Sequence, residues 1–346
     1  MTEEGMLLGV GDWTTAEAPD GSPRRPTIWT SPDGLAWQRQ QDSPAFVSNR
    51  AFWEEQVRAL VQVASGFVAV GTESQQDASL ADAAAWFSPD GVTWARAPVD
   101  DGIGRTMDDV VATPGGLVAL GESRYSFHAG FGGGTAIWTS PDGRVWTRLA
   151  DAVGPPPGTR LREVTRRPGG FLAAAAFEEP AGYPDTPGPP LTSGIWTSSD
   201  AIHWAPIPGT PLGLNDLIAT DSGYVAIGSG VADASAGTMA WRSSDGQTWT
   251  GAVLPSPSDL TVGATLLFER VATSPVGLLA FGMRDDDSTE VGWSSPDGVD
   301  WTLVDLRPEL DGAVVDNLFP IGDSLLVSAH FDQDGSWVPV AWLLRA

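Results

Sequence analysis

Arginine and acidic side chains recur at one position of a repeated segment of this chain. When the segments are aligned on a shared glycine, two neighbouring columns are polar where the residues around them are apolar. The first column contains Arg58, Asp108, Arg162, Asn215, Glu269 and Asp316, and the second contains Ala59, Asp109, Glu163, Asp216, Arg270 and Asn317. Because arginine binds carboxylates through two parallel hydrogen bonds, Arg58, Arg162 and Arg270 are candidates for binding an anionic ligand.

The candidate ligand-binding residues of these columns are Arg58, Arg162, Arg270, Asp108, Asp216, Glu269 and Asp316. Six polar positions of this kind could hold a ligand or a cation. The alternative is structural, because acids and arginines alternate along the chain and can pair with each other between neighbouring repeats.

A second candidate cluster is the segment Arg124-Tyr125-Ser126-Phe127-His128. Exposed rings with polar edges are suited to binding sugars, and Arg124, Tyr125 and His128 combine them with hydrogen-bonding groups. The alternative is that these rings pack their own loop onto the body of the protein.

Two acidic clusters are candidates for binding a cation. Asp285, Asp287, Asp332 and Asp334 lie in equivalent loops of adjacent repeats, and carboxylate oxygens are suitable calcium ligands. No complete calcium-binding loop motif follows, and acidic runs are usually solvated surface. Calcium is therefore the one candidate cofactor, and the sequence indicates no other.

Several catalytic classes are excluded by the residue types present. The chain has no cysteine and three histidines, which lie in three different repeats, and it contains no HExxH or GxSxG phrase. This argues against thiol nucleophiles, cysteine zinc sites, zinc proteases and serine hydrolases. A pair of carboxylates could still hydrolyse a glycoside, but among 44 acids the sequence does not show which pair would act.

The net charge of the chain limits the classes of partner that it can bind. Lysine is absent, so all 19 basic residues are arginine, and the net charge is −25 with a pI near 4.2. Such a surface repels nucleic acids and anionic lipids. The longest apolar run, Phe171 to Phe177, is too short to span a membrane. The first residues, MTEEGM, are not typical of a secretory signal, so this chain alone leaves a cytoplasmic location possible.

One phrase recurs along the whole chain: Trp, any residue, Ser, Pro or Ser, Asp, Gly or Ala, two residues, Trp. Six copies run from Trp29 to Trp37, Trp86 to Trp94, Trp138 to Trp146, Trp196 to Trp204, Trp241 to Trp249 and Trp293 to Trp301, and Trp342 begins a seventh. The mean period of about 52 residues is typical of a four-stranded propeller blade with long loops.

Four short apolar segments in each period predict strands A to D. In one period they are Val57 to Val63, Phe67 to Gly71, Ala83 to Ser88 and Thr93 to Ala97. The sequence predicts an all-β, seven-bladed β-propeller in a single domain, whose first blade lacks strand A and whose last blade lacks strand D. The predicted repeats are residues 1–40, 41–98, 99–150, 151–208, 209–254, 255–305 and 306–346.

The recurring phrase predicts a tight hairpin turn between strands C and D. In Ser31-Pro32-Asp33-Gly34, proline presets the backbone for a type I turn and glycine adopts the left-handed conformation that follows. This register places Trp29 opposite Trp37, so we expect a facing tryptophan pair in each hairpin. Because Ala201 replaces the glycine in the fourth copy, we expect that turn to be altered.

The phrase resembles the Asp box, or bacterial neuraminidase repeat, of β-propellers in the sialidase-like superfamily. Its aspartates would be Asp33, Asp90, Asp142, Asp200, Asp245 and Asp297. These copies lack the residue that usually separates Asp from Gly, so they are a variant. The resemblance implies the fold and often secretion, and it covers sialidases, other glycoside hydrolases, sorting receptors and non-catalytic binding propellers.

The sialidases of this superfamily use an arginine triad, a tyrosine nucleophile with a glutamate, and an aspartate acid/base. This chain has no Arg-Ile-Pro phrase near its N-terminus, and Tyr224 begins an apolar B strand, so no catalytic residue is assigned. We therefore expect a monomeric, non-catalytic, extracytoplasmic module that binds a glycan or a protein through its loop-rich face. The alternative is a sialidase-like glycoside hydrolase with its active site at the mouth of the central channel.

Overall fold

The computed structural model describes most of the chain. The described residues are 7–13, 25–34, 36–48, 50, 53–75, 81–100, 102–123, 134–156, 158–177, 194–210, 213–228, 239–260, 266–284, 289–304, 313–321, 323–333 and 336–345.

The protein is an all-β chain with seven blades of a β-propeller, as the sequence predicted. In every blade each strand pairs with the next one along the chain. Blade 1 contains β1 (Leu7–Trp13), β2 (Arg25–Ser31) and β3 (Gln38–Arg39); blade 2 contains β4 (Trp53–Val63), β5 (Gly66–Gln75), β6 (Ala81–Ser88) and β7 (Ala95–Ala97); blade 3 contains β8 (Asp109–Thr113), β9 (Gly116–Ser123), β10 (Gly134–Ser140) and β11 (Thr147–Arg148); blade 4 contains β12 (Thr159–Arg167), β13 (Gly170–Phe177), β14 (Gly194–Ser198) and β15 (Ala205–Pro206).

The remaining blades follow the same order. Blade 5 contains β16 (Leu214–Thr220), β17 (Gly223–Gly228), β18 (Met239–Ser243) and β19 (Thr250–Val253); blade 6 contains β20 (Leu266–Ser274), β21 (Gly277–Arg284), β22 (Glu290–Ser295) and β23 (Thr302–Val304); blade 7 contains β24 (Ala313–Ile321), β25 (Ser324–Gln333) and β26 (Ser336–Arg345). Blades 1 and 7 have three strands each, in agreement with the predicted lack of strand A and strand D. Short 3-10 turns occur at Pro44–Phe46 and Asp151–Val153. The described part of the chain has no apolar helix of the length that a bilayer requires.

The chain divides into two compact units, each with its own core. Unit 1 comprises Met1–Val164, Phe177–Thr192 and Ser198–Ala205, and unit 2 comprises Thr165–Ala176, Ser193–Thr197 and Pro206–Ala346. In unit 1, strands of blades 2 and 3 bury Val70, Ala85, Leu117 and Trp138 against one another. In unit 2, blades 5 and 6 bury Ile227, Val271 and Trp293 in the same way. Stacked blades explain why the B strands are apolar on both faces.

A β-bulge recurs in the A strands at the first polar column. The register of β4 against β5 shifts between Val57 and Ala59, so Arg58 is the extra residue. The corresponding extra residues in blades 5, 6 and 7 are Asn215, Glu269 and Asp316. In blade 3 both Asp108 and Asp109 lie opposite Leu120.

The bulge also explains the repeated glycine at the end of the B-strand phrase. A Cβ on Gly71 would lie 1.9 Å from the carbonyl oxygen of Gln56 on the neighbouring A strand, and one on Gly121 would lie 1.7 Å from that of Thr106. No side chain fits where the bulged backbone approaches so closely. Glycine is therefore required sterically at this position.

The predicted tryptophan pairing is wrong. Across the hairpins Trp29 pairs with Arg39, Trp86 with Arg96 and Trp138 with Arg148, two positions beyond the second tryptophan. The turn is longer than a type I turn with a glycine bulge, because the strand resumes only after that tryptophan. The indole Nε1 of Trp94 donates to the carbonyl of Gly91, so the second ring folds back over its own turn.

The turn at Ala201 keeps the backbone conformation of the glycine copies, contrary to the expectation. Ala201 adopts a left-handed conformation with φ of 62°, and its turn retains the hydrogen bonds that the aspartate accepts in the glycine copies. The backbone N–H groups of Ile202 and His203 donate to Asp200, and Trp204 Nε1 donates to the Ala201 carbonyl. The turn contacts thus hold a strained alanine in the glycine conformation, which costs about 1–2 kcal/mol.

Candidate functional site

The described residues of unit 1 contain a cavity of about 480 Å³ in blade 2. We call it the blade-2 pocket. Its charged residues are Arg50, Glu55, Glu73, Asp82 and Arg96, and its apolar side includes Val47, Val99 and Ile103. The acids lie at the end of the sheet where β5 finishes and β6 begins, so the pocket is at the end of the blade where strand B leads into strand C.

Strand pairing produces the row of acids. Glu55 on β4 lies directly opposite Glu73 on β5, and Glu73 lies directly opposite Asp82 on β6. Directly opposed residues point to the same face of a sheet, so three carboxylates share one face at one level. All three are buried, and like charges opposite one another are destabilising unless cations intervene.

Arg96 lies between the two glutamates. Its Nη1 donates to Glu55 Oε1, and its Nη2 donates to Glu73 Oε2 over 3.3 Å. Arg96 reaches them from β7, the outermost strand of the blade, with its guanidinium 5.1 Å from the centre of the Trp86 ring. Ser48 donates a further hydrogen bond to Glu73 Oε1. The two glutamates are thus held by one guanidinium.

Arg50 binds the third acid. Its Nη1 lies 2.5 Å from Asp82 Oδ2, and its guanidinium lies over the ring of Trp53 at 4.4 Å. The other Asp82 oxygen accepts from the backbone N–H of Gly104 over 3.0 Å. A cation stacked on an aromatic face and paired with a buried carboxylate has little freedom, so this side of the pocket is preorganised.

Glu55 is the most perturbed acid of the pocket. Its side chain is 1% exposed, and burial raises its pKa to about 7, although Arg96 opposes the shift. Glu55 Oε1 is bound by Arg96, whereas Oε2 is buried and has no hydrogen-bond partner among the described residues. Near neutral pH this carboxyl group can therefore hold or release a proton.

The apolar side of the pocket is fixed by aromatic packing below it. Phe46 lies 5.4 Å from Trp86 and 5.6 Å from Trp94, and the indole of Trp86 donates to the carbonyl of Ala45. These contacts anchor the turn that carries Val47. Across the pocket, Ile103 is 75% exposed and adds an apolar surface to the rim of the cavity.

The first-column residues of unit 1 lie outside this pocket. Arg58 Nη1 lies 3.0 Å from Asp108 Oδ1 of the next blade, and Asp108 also accepts from Thr106. This is the arrangement of the structural alternative, in which acids and arginines pair between neighbouring repeats. Arg162 is exposed on β12, and Glu163, which follows it, has a left-handed φ of 50°.

Two second-column aspartates bridge adjacent blades. Asp109 accepts from its neighbour Val110 and from the backbone N–H of Val164 on the next A strand. Asp216 does the same with Leu217 and Val271. Burial raises the pKa of Asp109 to about 6, against the effect of these hydrogen bonds. Asp216, a predicted ligand residue, therefore links blades 5 and 6 through these hydrogen bonds.

In unit 2, Asp316 Oδ1 lies within hydrogen-bonding distance of His330 Nδ1, at 2.8 Å. Arg270 donates to the carbonyl of Glu269 and to Asn317 of the next blade over 3.4 Å. Nearby, Glu290 accepts from the N–H of Val315, and burial raises its pKa to about 7, with Glu269 and Asp316 adding to the shift. No group of three metal-ligating side chains occurs among the described residues.

Arg124, Tyr125, His128, Asp285, Asp287 and Asp334 lie outside the described residues, as does the side chain of Asp332. The calcium site therefore stays a prediction.

The turn aspartates form a repeated hydrogen-bond pattern. Asp90, Asp200, Asp245 and Asp297 each accept from the backbone N–H groups two and three residues further on, Asp33 accepts from Ala36, and Asp142 accepts from Arg144. The serine of the phrase also stabilises the turn, because Ser88 Oγ accepts a hydrogen bond from the N–H of Gly91 over 2.8 Å.

The charged residues of the blade-2 pocket were not among the predicted site residues. The predicted strands began at Val57 and ended at Gly71, which left Glu55 outside strand A and Glu73 in a loop. Two residues of the sequence could have indicated the pocket. Glu73 and Asp82 lie in segments that are otherwise small or apolar, and an acid inside a buried strand requires a partner.

No protein-family model matches the chain, and no curated protein matches it. Among solved structures, it is similar to a periplasmic gluconolactonase from Pseudomonas aeruginosa, with a TM-score of 0.54 and 12% identity over 97% of this chain and 98% of that one. It is also similar to a protein of unknown function from Dyadobacter fermentans, with a TM-score of 0.51 and 12% identity over 99% of this chain and 92% of that one.

A mutant of Trypanosoma rangeli sialidase with trans-sialidase activity matches with a TM-score of 0.49 and 13% identity, over 83% of this chain and 51% of that one. At these identities, the similarities to the gluconolactonase and the Dyadobacter protein show a shared β-propeller fold and leave activity undecided.

Proposed function

We propose that the chain is a non-catalytic, extracytoplasmic binding protein that holds carbohydrate in the blade-2 pocket. The observation that carries the proposal is the combination of three buried carboxylates, two arginines and an apolar side in one cavity. Sugars present hydroxyl groups in pairs, which carboxylates accept and guanidinium groups donate to, and their C–H faces pack on apolar side chains.

The charge of the pocket supports a sugar over a phosphate or carboxylate ligand. The three acids exceed the two arginines by one, and both arginines already bind carboxylates. An anion would have to displace these acids and would meet the field of a chain with net charge −25. Extracytoplasmic location is supported by the resemblance of the turn phrase to secreted propellers.

The test is calorimetric titration of the full chain with neutral oligosaccharides, followed by the same titration of Asp82→Asn. This variant removes the charge that holds Arg50 and keeps the size of the side chain, so we expect at least roughly tenfold weaker binding. Asp42→Asn is the matched control, because Asp42 pairs with Arg39 on the exposed surface. Equal binding by Asp82→Asn and the wild type would contradict the proposed site.

The same samples test the hydrolase alternative. After incubation with the bound oligosaccharide, chromatography should recover it intact. Cleavage that persists in Asp82→Asn but is lost in Arg162→Ala would instead favour a site near the A strands. Failure of every oligosaccharide to bind, together with capture of a protein ligand that Asp82→Asn loses, would replace carbohydrate by protein as the partner.

A further inference from the structure

The blade-2 pocket contains an acceptor that its own side chains leave unused. Glu55 lines the cavity, its side chain is 1% exposed, and its Oε2 atom is buried without a hydrogen-bond partner among the described residues. A buried acceptor without a donor is unfavourable, so a ligand that donates a hydrogen bond there gains more than it would at a solvated oxygen.

The local charge favours a cationic donor. Glu55 and Glu73 share the single guanidinium of Arg96, so two carboxylates face one positive charge. On the other side of the pocket, Asp82 and Arg50 neutralise each other. These five are the ionisable side chains that line the cavity, and they leave one negative charge when all are ionised. One added positive charge would balance it.

We propose that the pocket binds saccharides that carry a protonated amine in preference to neutral ones, with the ammonium group between Glu55 and Glu73. This inference rests on the proposed carbohydrate binding and specifies its ligand class. Glu55 Oε2 is already unused, and a shift of the 35% exposed Arg96 away from Glu73 leaves an oxygen of each glutamate for the three donors of an ammonium group, while Arg96 keeps its bond to Glu55 Oε1. Val47, Val99 and Ile103 then contact the sugar ring.

A proton accompanies the amine. Burial keeps Glu55 largely protonated slightly below neutral pH, because its pKa is about 7. An ammonium group beside it favours the carboxylate, so binding releases the proton from Glu55. A neutral sugar does not favour the carboxylate in this way, so its binding releases no proton from Glu55.

The experiment compares trimers of chitosan, cellulose and chitin, which share one backbone and differ in an amine, a hydroxyl or an acetamide on each sugar. Calorimetric titrations of the full chain at about pH 6 keep the amine protonated. We expect the chitosan trimer to bind at least roughly tenfold more tightly than the cellulose trimer. Titration in two buffers of different ionisation enthalpy should show the release of about one proton, for the chitosan trimer only.

Glu55→Gln and Glu54→Gln form a matched pair. The two positions are adjacent on β4, point to opposite faces of the strand and receive the same substitution. We expect Glu55→Gln to remove the preference and the proton release while still binding the cellulose trimer, and Glu54→Gln to retain both. A preference that survives Glu55→Gln, or that disappears at high salt in the wild type, would identify general attraction to an acidic surface and overturn the inference.

The outcomes separate this inference from the proposal on which it rests. If the cellulose trimer binds as well as the chitosan trimer, amine selection fails and carbohydrate binding stands. If no trimer binds, both fail. If Glu55→Gln does not fold, the proton count of the wild type decides, because a preference without proton release contradicts the role of Glu55.

Discussion

The environments at the two ends of blade 2 shift acidic side chains in opposite directions. At the turn after β6, partial burial alone would raise the pKa of Asp90, but the backbone N–H groups of Thr93 and Val92 outweigh it and hold the pKa below its usual value. At the pocket end, burial raises the pKa of Glu55 to about 7. The same sheet therefore stabilises one ionised acid and destabilises another.

The difference lies in where the positive charge comes from. Backbone amides in the turn are fixed by the chain itself and point at Asp90 whatever binds nearby. In the pocket, Glu55 depends on a side chain, the guanidinium of Arg96, which it shares with Glu73. An acid satisfied by backbone contributes to folding, whereas an acid that depends on a shared side chain is available to a ligand.

The largest expected effect tests the backbone that holds the pocket acids in register. Gly71→Ala places a methyl group 1.9 Å from the Gln56 carbonyl, beside Glu55, and backbone cannot move aside without breaking the pairing of Glu55 with Glu73. We expect unfolding free energy to fall by about 3 kcal/mol or more, measured by denaturant titration.

Gly115→Ala is the control for that substitution. A Cβ there would meet only Thr113 Oγ1, at 3.8 Å, so its stability should stay within about 1 kcal/mol of the wild type. Similar losses in both variants would show that the close approach at Gly71 is not what fixes the strand.

The next prediction concerns the sign of the pH dependence at the pocket. Because the folded pKa of Glu55 is raised from 4.5 to about 7, the folded state binds more protons between these values, and the contribution of Glu55 falls as pH rises through that window. Glu55→Gln should therefore gain roughly 2 kcal/mol relative to the wild type between about pH 5 and pH 8. Unfolding curves across this range measure the difference, and a constant offset would contradict the assignment.

The smallest effect is expected at the turn, with the opposite sign. The depressed pKa of Asp90 means that its contribution is complete above its unfolded value near 3.8 and is lost as pH falls through the folded pKa. Asp90→Asn should lower stability by about 1 kcal/mol at neutral pH, because hydrogen bonds to a carboxylate are stronger than those to a neutral amide oxygen, and should approach the wild type in acid. Thermal unfolding at neutral and acidic pH checks this, and a loss that persists in acid would point to geometry instead of charge.

The repeated phrase was enough to predict the blades, because a fixed period with strand-turn punctuation determines architecture without any long-range contact. The register of the hairpins was harder to predict from the sequence. The prediction that Trp29 faces Trp37 assumed the shortest turn, but the side chains of Ser31 and Asp33 bind backbone N–H groups and enlarge it. Side-chain hydrogen bonds of this kind are local, yet their effect on register depends on where the second strand resumes.

The pocket was not predictable for a different reason. Its acids are 18 and 9 residues apart along the chain and become neighbours only because β4 and β5 extend beyond their apolar segments, to Trp53 and Gln75. Strand ends are the least certain part of any assignment from sequence. The cation that pairs with these acids, Arg96, comes from β7, a three-residue strand whose first two residues are exposed.

The bulge in the A strands has an evolutionary consequence. The type of a residue that stands outside the regular pairing ladder is not fixed by that ladder, and the bulge positions of five blades contain arginine, two aspartates, asparagine and glutamate. Duplication of a blade therefore copies one position whose residue type the strand pairing does not determine. Successive blades can then differ in their surface chemistry at this position while the sheet itself stays the same.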